Sequence, residues 1–150
     1  MMEGMKNVPA NAPIATIIGF DHINIKSRDI QRSIDFYTDI LGLRLVRLDR
    51  NSDGEIRFAA LRVGDELIDI QPNTSDDWDA DRTGLNHMAF LIEPADLAAI
   101  AERCHEMNIP ITEGPVARQG AYGMGQALYI QDPDGHGVEL KHYEQPLWSE

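Results

Sequence analysis

The feature that most constrains the fold is an internal repeat with a period of about 65 residues. Each copy has a histidine, then an Asp-aliphatic pair, then a pair of residues suited to ending a helix. These are His22, Asp29-Ile30 and Gly42-Leu43 in the first copy, and His87, Asp96-Leu97 and Asn108-Ile109 in the second. The repeat predicts two similar modules that pack as one domain.

The first copy has the pattern strand, helix and three strands. The run Ile17 to Ile25 predicts the first strand. A helix capped by Ser27 or Asp29 follows, with an apolar stripe of Ile30, Ile34, Tyr37 and Leu41 at three- and four-residue spacing. Gly42 is suited to ending this helix. Alternating runs then predict strands at Leu43 to Leu48, Ile56 to Val63 and Leu67 to Gln71.

The second copy repeats this order. We expect a strand at Leu85 to Ile92 and a helix at Pro94 to Met107 with Leu97, Ile100, Ala101 and Cys104 inward. Further strands are predicted at Ile109 to Ile111, Gln126 to Gln131 and Val138 to Tyr143. The first two of these strands are separated by a segment that contains Gly114, Gly120, Gly123 and Gly125. We expect this segment to be a mobile flap or slack in a long connection.

The predicted fold is therefore α+β, with paired βαβββ modules that form an open, curved mixed sheet around a central cleft. Residues 14–146 form the domain, with module one at about 17–71 and module two at about 85–143, and residues 1–13 form a mobile arm. A polar, acidic linker at residues 72–84 joins the modules. Its Trp78 is expected to pack on the surface rather than to cover a cleft.

The composition of the chain excludes several classes of partner and site. The formal charge of −12 argues against a nucleic-acid partner, which requires a basic surface. The single cysteine, Cys104, excludes an intrachain disulfide and a multi-cysteine zinc site. With 43% hydrophobic residues the chain can bury a core without a structural metal, so a metal is expected to serve function. Apolar runs are too short for a membrane span, and a cytoplasmic location is expected.

Each module matches a histidine on its first strand with an acid on its last. Asp69 follows His22, and Glu139 follows His87. Glu139 comes after the turn Asp132-Pro-Asp-Gly135 and should point away from the aliphatic side chains on either side of it. These nitrogen and oxygen donors suit Zn, Fe, Ni, Co or Mn. Gln71, on the same face as Asp69, is an alternative ligand, and each residue alone has an ordinary structural explanation.

Two segments resemble a known family. His22-Ile-Asn-Ile25, Ser33-Ile-Asp-Phe-Tyr37 and Leu41-Gly-Leu43 closely resemble the first signature of glyoxalase I and its relatives, the vicinal oxygen chelate superfamily. The turn before Glu139 is typical of the superfamily's last strand. The resemblance covers nearly all of Ile17 to Tyr143, and it implies a metal held by His22, Asp69, His87 and Glu139. Asp69 departs from the pattern, because that position is usually Glu.

The resemblance implies a divalent-metal-dependent lyase or isomerase that removes a proton through Glu139 or Asp69 and stabilises an enediolate. Its substrate could be a thiohemiacetal of a 2-oxoaldehyde, with Arg118 and Arg57 as candidates for binding glutathione carboxylates. An extradiol dioxygenase using Fe(II) is a second possibility, although Tyr122 replaces the histidine of those enzymes.

A third possibility is a metal-free binding protein like the superfamily's bleomycin resistance members, with a cleft lined by Trp78, Tyr122 and Met124. We also expect a homodimer, because open sheets leave exposed edges that a second copy can cover. The sequence spacing leaves open whether the two modules that share a cleft belong to one chain or to two.

Overall fold

The structure is a computed structural model that describes residue 13 and residues 15–144. The predicted mobile arm falls almost wholly outside the described residues. No helix in the described ranges is long and apolar enough to cross a membrane.

Both modules have the predicted order of elements. Module one consists of β1 (His22–Ser27), α1 (Ile30–Asp35) with a π-helical continuation at Phe36–Ile40, β2 (Arg44–Arg50), β3 (Ile56–Val63) and β4 (Glu66–Pro72). A 3-10 helix at Ala80–Arg82 lies in the linker. Module two consists of β5 (His87–Leu91), α2 (Leu97–Glu106), β6 (Ile111–Gly120), β7 (Gly123–Gln131) and β8 (Gly137–His142).

The strands of the described residues form two open, mixed four-stranded sheets with the same topology. The orders are β1-β4-β3-β2 and β5-β8-β7-β6. In each sheet the first strand runs parallel to the last, and the other neighbours are antiparallel. This confirms the α+β class and the paired βαβββ modules, with the strands divided between two sheets.

One face of each sheet packs against its module's helix. Ile30, Ile34 and Tyr37 of the predicted stripe are buried in module one, and Leu97 and Cys104 are buried in module two. Buried side chains of both modules belong to one hydrophobic cluster. The helices cover only one face of each sheet, so the opposite face is available for a site.

The predicted start of α1 and the predicted C-terminal ends of both helices are confirmed, but α2 begins at Leu97 rather than Pro94. The Asp29 side chain accepts a hydrogen bond from the Arg32 N–H at the start of α1. Gly42 and Asn108 both have positive φ, at 76° and 56°, where the helices end. Asparagine is among the few residues besides glycine that adopt this conformation readily, which explains why it occupies the matching position.

The first strand is shorter than predicted. It begins at His22 rather than Ile17, and Ile17 and Ile18 are 89% and 97% exposed. Their apolar character favoured a strand, but the pairing of β1 with β4 begins only at His22 and Leu67.

The prediction of a flap for the glycine-rich segment is wrong. Strands β6 and β7 pair as a long hairpin that reaches from Ile111 to Gln131. Glycine hides this strand in the sequence because it contributes nothing to apolar alternation. Gly125 is needed for close packing, since a Cβ there would lie 2.6 Å from the His142 carbonyl oxygen.

The turn between β7 and β8 docks onto module one. Asp134 is 2% exposed, and its side chain accepts hydrogen bonds from Arg28 N and Nε, both at 3.0 Å, and from Ser33 Oγ at 3.1 Å. The hydroxyl group of Tyr37 donates to Asp132 at 2.7 Å. Two buried carboxylates therefore connect the modules.

Two further residues complete this junction. His136 Nε2 lies 2.8 Å from the carbonyl oxygen of Lys26. Trp78 Nε1 donates to the carbonyl oxygen of Asp134 at 3.0 Å, and its ring packs edge-on against His136. The expectation that Trp78 packs rather than covers a cleft is confirmed.

The ionisable groups of the junction have pKa values shifted in different directions. Burial alone would raise the pKa of Asp134, but hydrogen bonds from Arg28, Ser27 and Ser33 together lower it. Burial raises the pKa of Asp132 despite the hydrogen bonds it accepts. Burial, and then the charge of Asp132, raise the pKa of the Tyr37 hydroxyl.

We expect Asp134→Asn to lower the free energy of unfolding by about 2 kcal/mol, because it weakens charge-assisted hydrogen bonds to a buried acceptor. Urea unfolding at neutral pH measures this. The matched control is Asp53→Asn in the exposed β2–β3 turn, which should change stability by less than about 0.5 kcal/mol.

Comparing the stability of the wild type with that of Asp134→Asn at several pH values tests the pKa of Asp134. Because the pKa of Asp134 is lower in the folded than in the unfolded state, its carboxylate stabilises the fold fully at neutral pH. This stabilisation is lost as pH falls through the folded-state pKa. The stability difference between the wild type and Asp134→Asn should therefore shrink below about pH 4. A difference that stays constant down to acid unfolding would contradict the assignment.

Candidate functional site

The topology places the predicted residues of each module together. His22 and His87 begin the edge strands β1 and β5, and each acid lies on the neighbouring strand. Asn24 pairs with Asp69, and Ala89 pairs with Glu139. Each histidine is two residues before its acid's partner, so histidine and acid project from the same face. The two modules therefore place histidine and acid in the same relative arrangement.

Module one holds His22 beside Asp69. His22 Nε2 lies 3.7 Å from Asp69 Oδ2, and His22 Nδ1 lies 2.6 Å from Asp21 Oδ1. The hydrogen bond with Asp21, and then the charge of Asp69, raise the pKa of His22. Asp69 Oδ1 is buried and has no hydrogen-bond partner among the described residues. This half of the site has a carboxylate oxygen available for a cation.

Module two holds His87 beside Glu139. His87 Nε2 lies 3.1 Å from Glu139 Oε2, and His87 Nδ1 lies 2.7 Å from Asn86 Oδ1. The His87 ring also packs edge-on against Tyr129 at 5.4 Å. Burial, and then the charge of Glu139, raise the pKa of the Tyr129 hydroxyl.

Asp21 and Asn86 orient the two histidines, a role that was not predicted. Each places an oxygen acceptor at Nδ1, which puts the ring proton there and leaves Nε2 with a lone pair when the ring is neutral. Such acceptors commonly orient metal-binding histidines. The sequence signal was their shared place immediately before His22 and His87.

The four predicted ligands meet as two pairs. In the described part of the chain, no group of three or more His, Cys, Asp or Glu side chains could hold one metal ion. Within each pair, however, an electron-rich imidazole nitrogen faces a carboxylate oxygen, and this donor set fits a divalent cation. Gln71, the alternative to Asp69, instead accepts a hydrogen bond from Lys26.

Lys141 is an unexpected member of the site. It is 5% exposed, and its Nζ donates to the Arg118 carbonyl oxygen at 2.8 Å and to Glu139 Oε1 at 3.3 Å. Sequence reasoning missed it because lysine is almost never fully buried unless paired. Its place two residues after Glu139, and so on the same face, was the available signal.

Two clefts open beside module two's pair. One of about 410 Å³ is lined by His87 and by hydrogen-bonding groups of Asn86, Thr112, Tyr129 and Gln131. A smaller one of about 150 Å³ is lined by residues that include Leu91, Tyr122, Glu139, Lys141 and Tyr143. Glu139 is therefore within reach of a small molecule.

The other candidate binding residues are dispersed. Arg118 forms an ion pair with Glu113. Arg57 lies at an exposed position near the start of β3, at a register irregularity three residues before Ala60, the partner of Asp69. Trp78 is at the module junction and not with Tyr122, so the cleft predicted for a binding protein does not assemble from those residues.

A family comparison agrees with this geometry. A model of the Glyoxalase/Bleomycin resistance protein/Dioxygenase superfamily matches residues 19–140. The chain belongs to this superfamily. The match spans both modules and confirms the resemblance drawn from the motifs.

Individual relatives are distant. The chain is 30% identical over 123 residues to a lactoylglutathione lyase of Escherichia coli O157:H7, covering 79% of this chain and 88% of the relative. It is 30% identical over 125 residues to virulence protein STM3117 of Salmonella typhimurium, covering 82% and 83%. The crystal structure of fosfomycin resistance protein FosX from Mesorhizobium loti matches with TM-score 0.60 and 26% identity, covering 84% and 92%.

We expect Gly120→Ala to destabilise the chain by about 1–3 kcal/mol through overpacking, because the Lys141 and Tyr143 side chains that it would displace are both buried. The added Cβ would lie 2.2 Å from the Tyr143 hydroxyl oxygen and 2.4 Å from Lys141 Cε. Gly19→Ala is the matched control, because a Cβ there meets nothing within 4 Å. Equal unfolding midpoints for the two variants would show that the Lys141 side chain is not confined as described.

Proposed function

We propose that the chain is a divalent-metal-dependent lyase or isomerase, with His22, Asp69, His87 and Glu139 as metal ligands. The observation that carries this proposal is the repeated His–acid pair, in which each Nδ1 is held by a preceding acceptor and each Nε2 faces a carboxylate. The buried, unpartnered oxygen of Asp69 supports it. Ni, Zn, Co, Mn and Fe all accept such ligands.

We propose further that a homodimer completes the site, joining module one of one copy to module two of the other. Each pair supplies only two donors, and catalytic metal sites commonly use three or more protein ligands. The exposed apolar residues Ile17, Ile18 and Phe20, which precede His22, support a partner at this face. The open edges at β1 and β5 support it as well.

The proposed reaction is proton transfer at a carbon next to a carbonyl group. A divalent ion bound at the site would supply positive charge that stabilises an enediolate. Glu139 Oε2 would accept the proton after withdrawing from the ion, because a carboxylate that stays beside a divalent cation is a weak base. Glu139 lines a cleft, and Asp69 is the matched carboxylate of the other half. The relatives named lactoylglutathione lyase support a thiol adduct of a 2-oxoaldehyde as substrate.

Glu139→Gln should lower turnover of such an adduct by at least about 100-fold, because the amide cannot accept the proton. The fold should persist, as judged by circular dichroism, although the unfolding midpoint should fall because the buried Lys141 ammonium group loses its compensating carboxylate. Glu66→Gln, at an exposed position on β4, is the matched control and should retain activity. A fully active Glu139→Gln variant would rule out the proposed role.

Subunit mixing tests the shared site. One variant carries His22→Ala and Asp69→Asn, and the other carries His87→Ala and Glu139→Gln. Neither should retain metal alone, but an equal mixture after subunit exchange should recover about a quarter of the wild-type metal content, because half of the dimers then hold one intact site of two.

Elemental analysis for Mn, Fe, Co, Ni, Cu and Zn provides the readout. A mixture without recovery, although dimers exchange, would place each site within a single chain. Iron accompanied by oxygen uptake with a catechol would favour the extradiol dioxygenase. A wild type that takes up no metal would favour the metal-free binding protein.

A further inference from the structure

The two acids of the candidate site have different surroundings. Asp69 keeps a buried oxygen without a hydrogen-bond partner among the described residues. Both oxygens of Glu139 have a close neighbour, since Oε1 lies 3.3 Å from Lys141 Nζ and Oε2 lies 3.1 Å from His87 Nε2. The halves share a topology but differ in charge.

The Lys141 side chain is confined beside Glu139. It lies on the same face of β8, and its ammonium group also donates to the Arg118 carbonyl oxygen. Gly120 provides the space, because any Cβ there would overlap Lys141 Cε. A buried ammonium group is costly unless it is paired, so the contact with Glu139 compensates charge on both partners.

Module one has no such charge at the matching position. Gln71, like Lys141, comes two residues after the acid on the last strand, but its side chain is uncharged. Gln71 Oε1 accepts a hydrogen bond from Lys26, whose side chain is exposed. The lysine of module one therefore contacts the amide and not Asp69. The positive charge that acts on Asp69 is Arg47, which lies across β3 from it on β2 and is itself paired with Asp49.

We propose that Lys141 is a positioning residue that acts through Glu139, holding one of its oxygens and compensating its charge. The inference rests on the proposed function. With Lys141 in place, the two carboxylates and the ammonium group give the ligand set one unit of negative charge rather than two. Glu139 then presents only Oε2 beside His87, and Asp69 becomes the principal anionic ligand.

This arrangement makes cation binding weaker than the two acids alone would make it. Removing the Lys141 charge should therefore tighten binding, because a nearby positive charge that opposes a divalent ion is lost. A lysine with only a structural role would give the opposite sign or no change, since a disturbed strand presents its ligands less well.

The test is Zn²⁺ titration of the full chain against a chromophoric chelator at neutral pH. Lys141→Met keeps the length and apolar packing of the side chain and should lower the Kd for Zn²⁺ by about tenfold or more. Lys26→Met removes the same charge from the surface of module one. It should stay within about twofold of the wild type, because solvent screens it.

Unchanged or weaker Zn²⁺ binding by Lys141→Met, in a wild type that binds Zn²⁺, would overturn the inference and leave the proposed function intact. A wild type that binds no divalent ion would overturn both. If unfolding measurements show that Lys141→Met does not fold, Lys141→Gln gives the same comparison, since its amide can still donate to the Arg118 carbonyl oxygen.

Discussion

The buried carboxylate of Asp134 fixes how the two modules sit against each other. It belongs to the turn before β8, yet its hydrogen-bond donors come from the start of module one, at Arg28 and Ser33. Those residues directly follow β1 or lie on α1, so the same contact also sets the position of β1. Because β1 begins with His22 and β8 carries Glu139, one junction anchors the strands that bear the proposed ligands of both modules.

Within a module, the parallel pairing of first and last strands creates each half of the site. A connection that returns the chain parallel to β1 brings residues from opposite ends of a module next to each other. Asp69 thereby reaches the neighbourhood of His22, and Glu139 that of His87. The helix covers the other face, so the polar pair lies on the sheet face that the helix leaves open.

The sequence predicted whatever depended on periodicity. Alternation fixed the faces of Asp69 and Glu139, and the repeat fixed which histidine belongs with which acid. Prediction from the sequence failed where packing overrode the preferences of individual residues. Glycines predicted a flap, but Gly120 and Gly125 are there because neighbouring side chains and backbone approach closely. The burial of Lys141 depends on that same space, which is visible only once β6, β7 and β8 lie side by side.

The repeat also explains why the two halves could diverge. Each module holds a histidine and an acid on the same arrangement of strands. The residues next to each His–acid pair, in contrast, differ between the modules. Asp21 and Asn86 perform the same orienting task with a charged and a neutral side chain. Gln71 and Lys141 change the charge in the same direction, because the residue two positions after the acid is neutral in module one and positive in module two. At both of these positions module one carries the more negative charge, so a cation shared between the two halves would be held chiefly by module one.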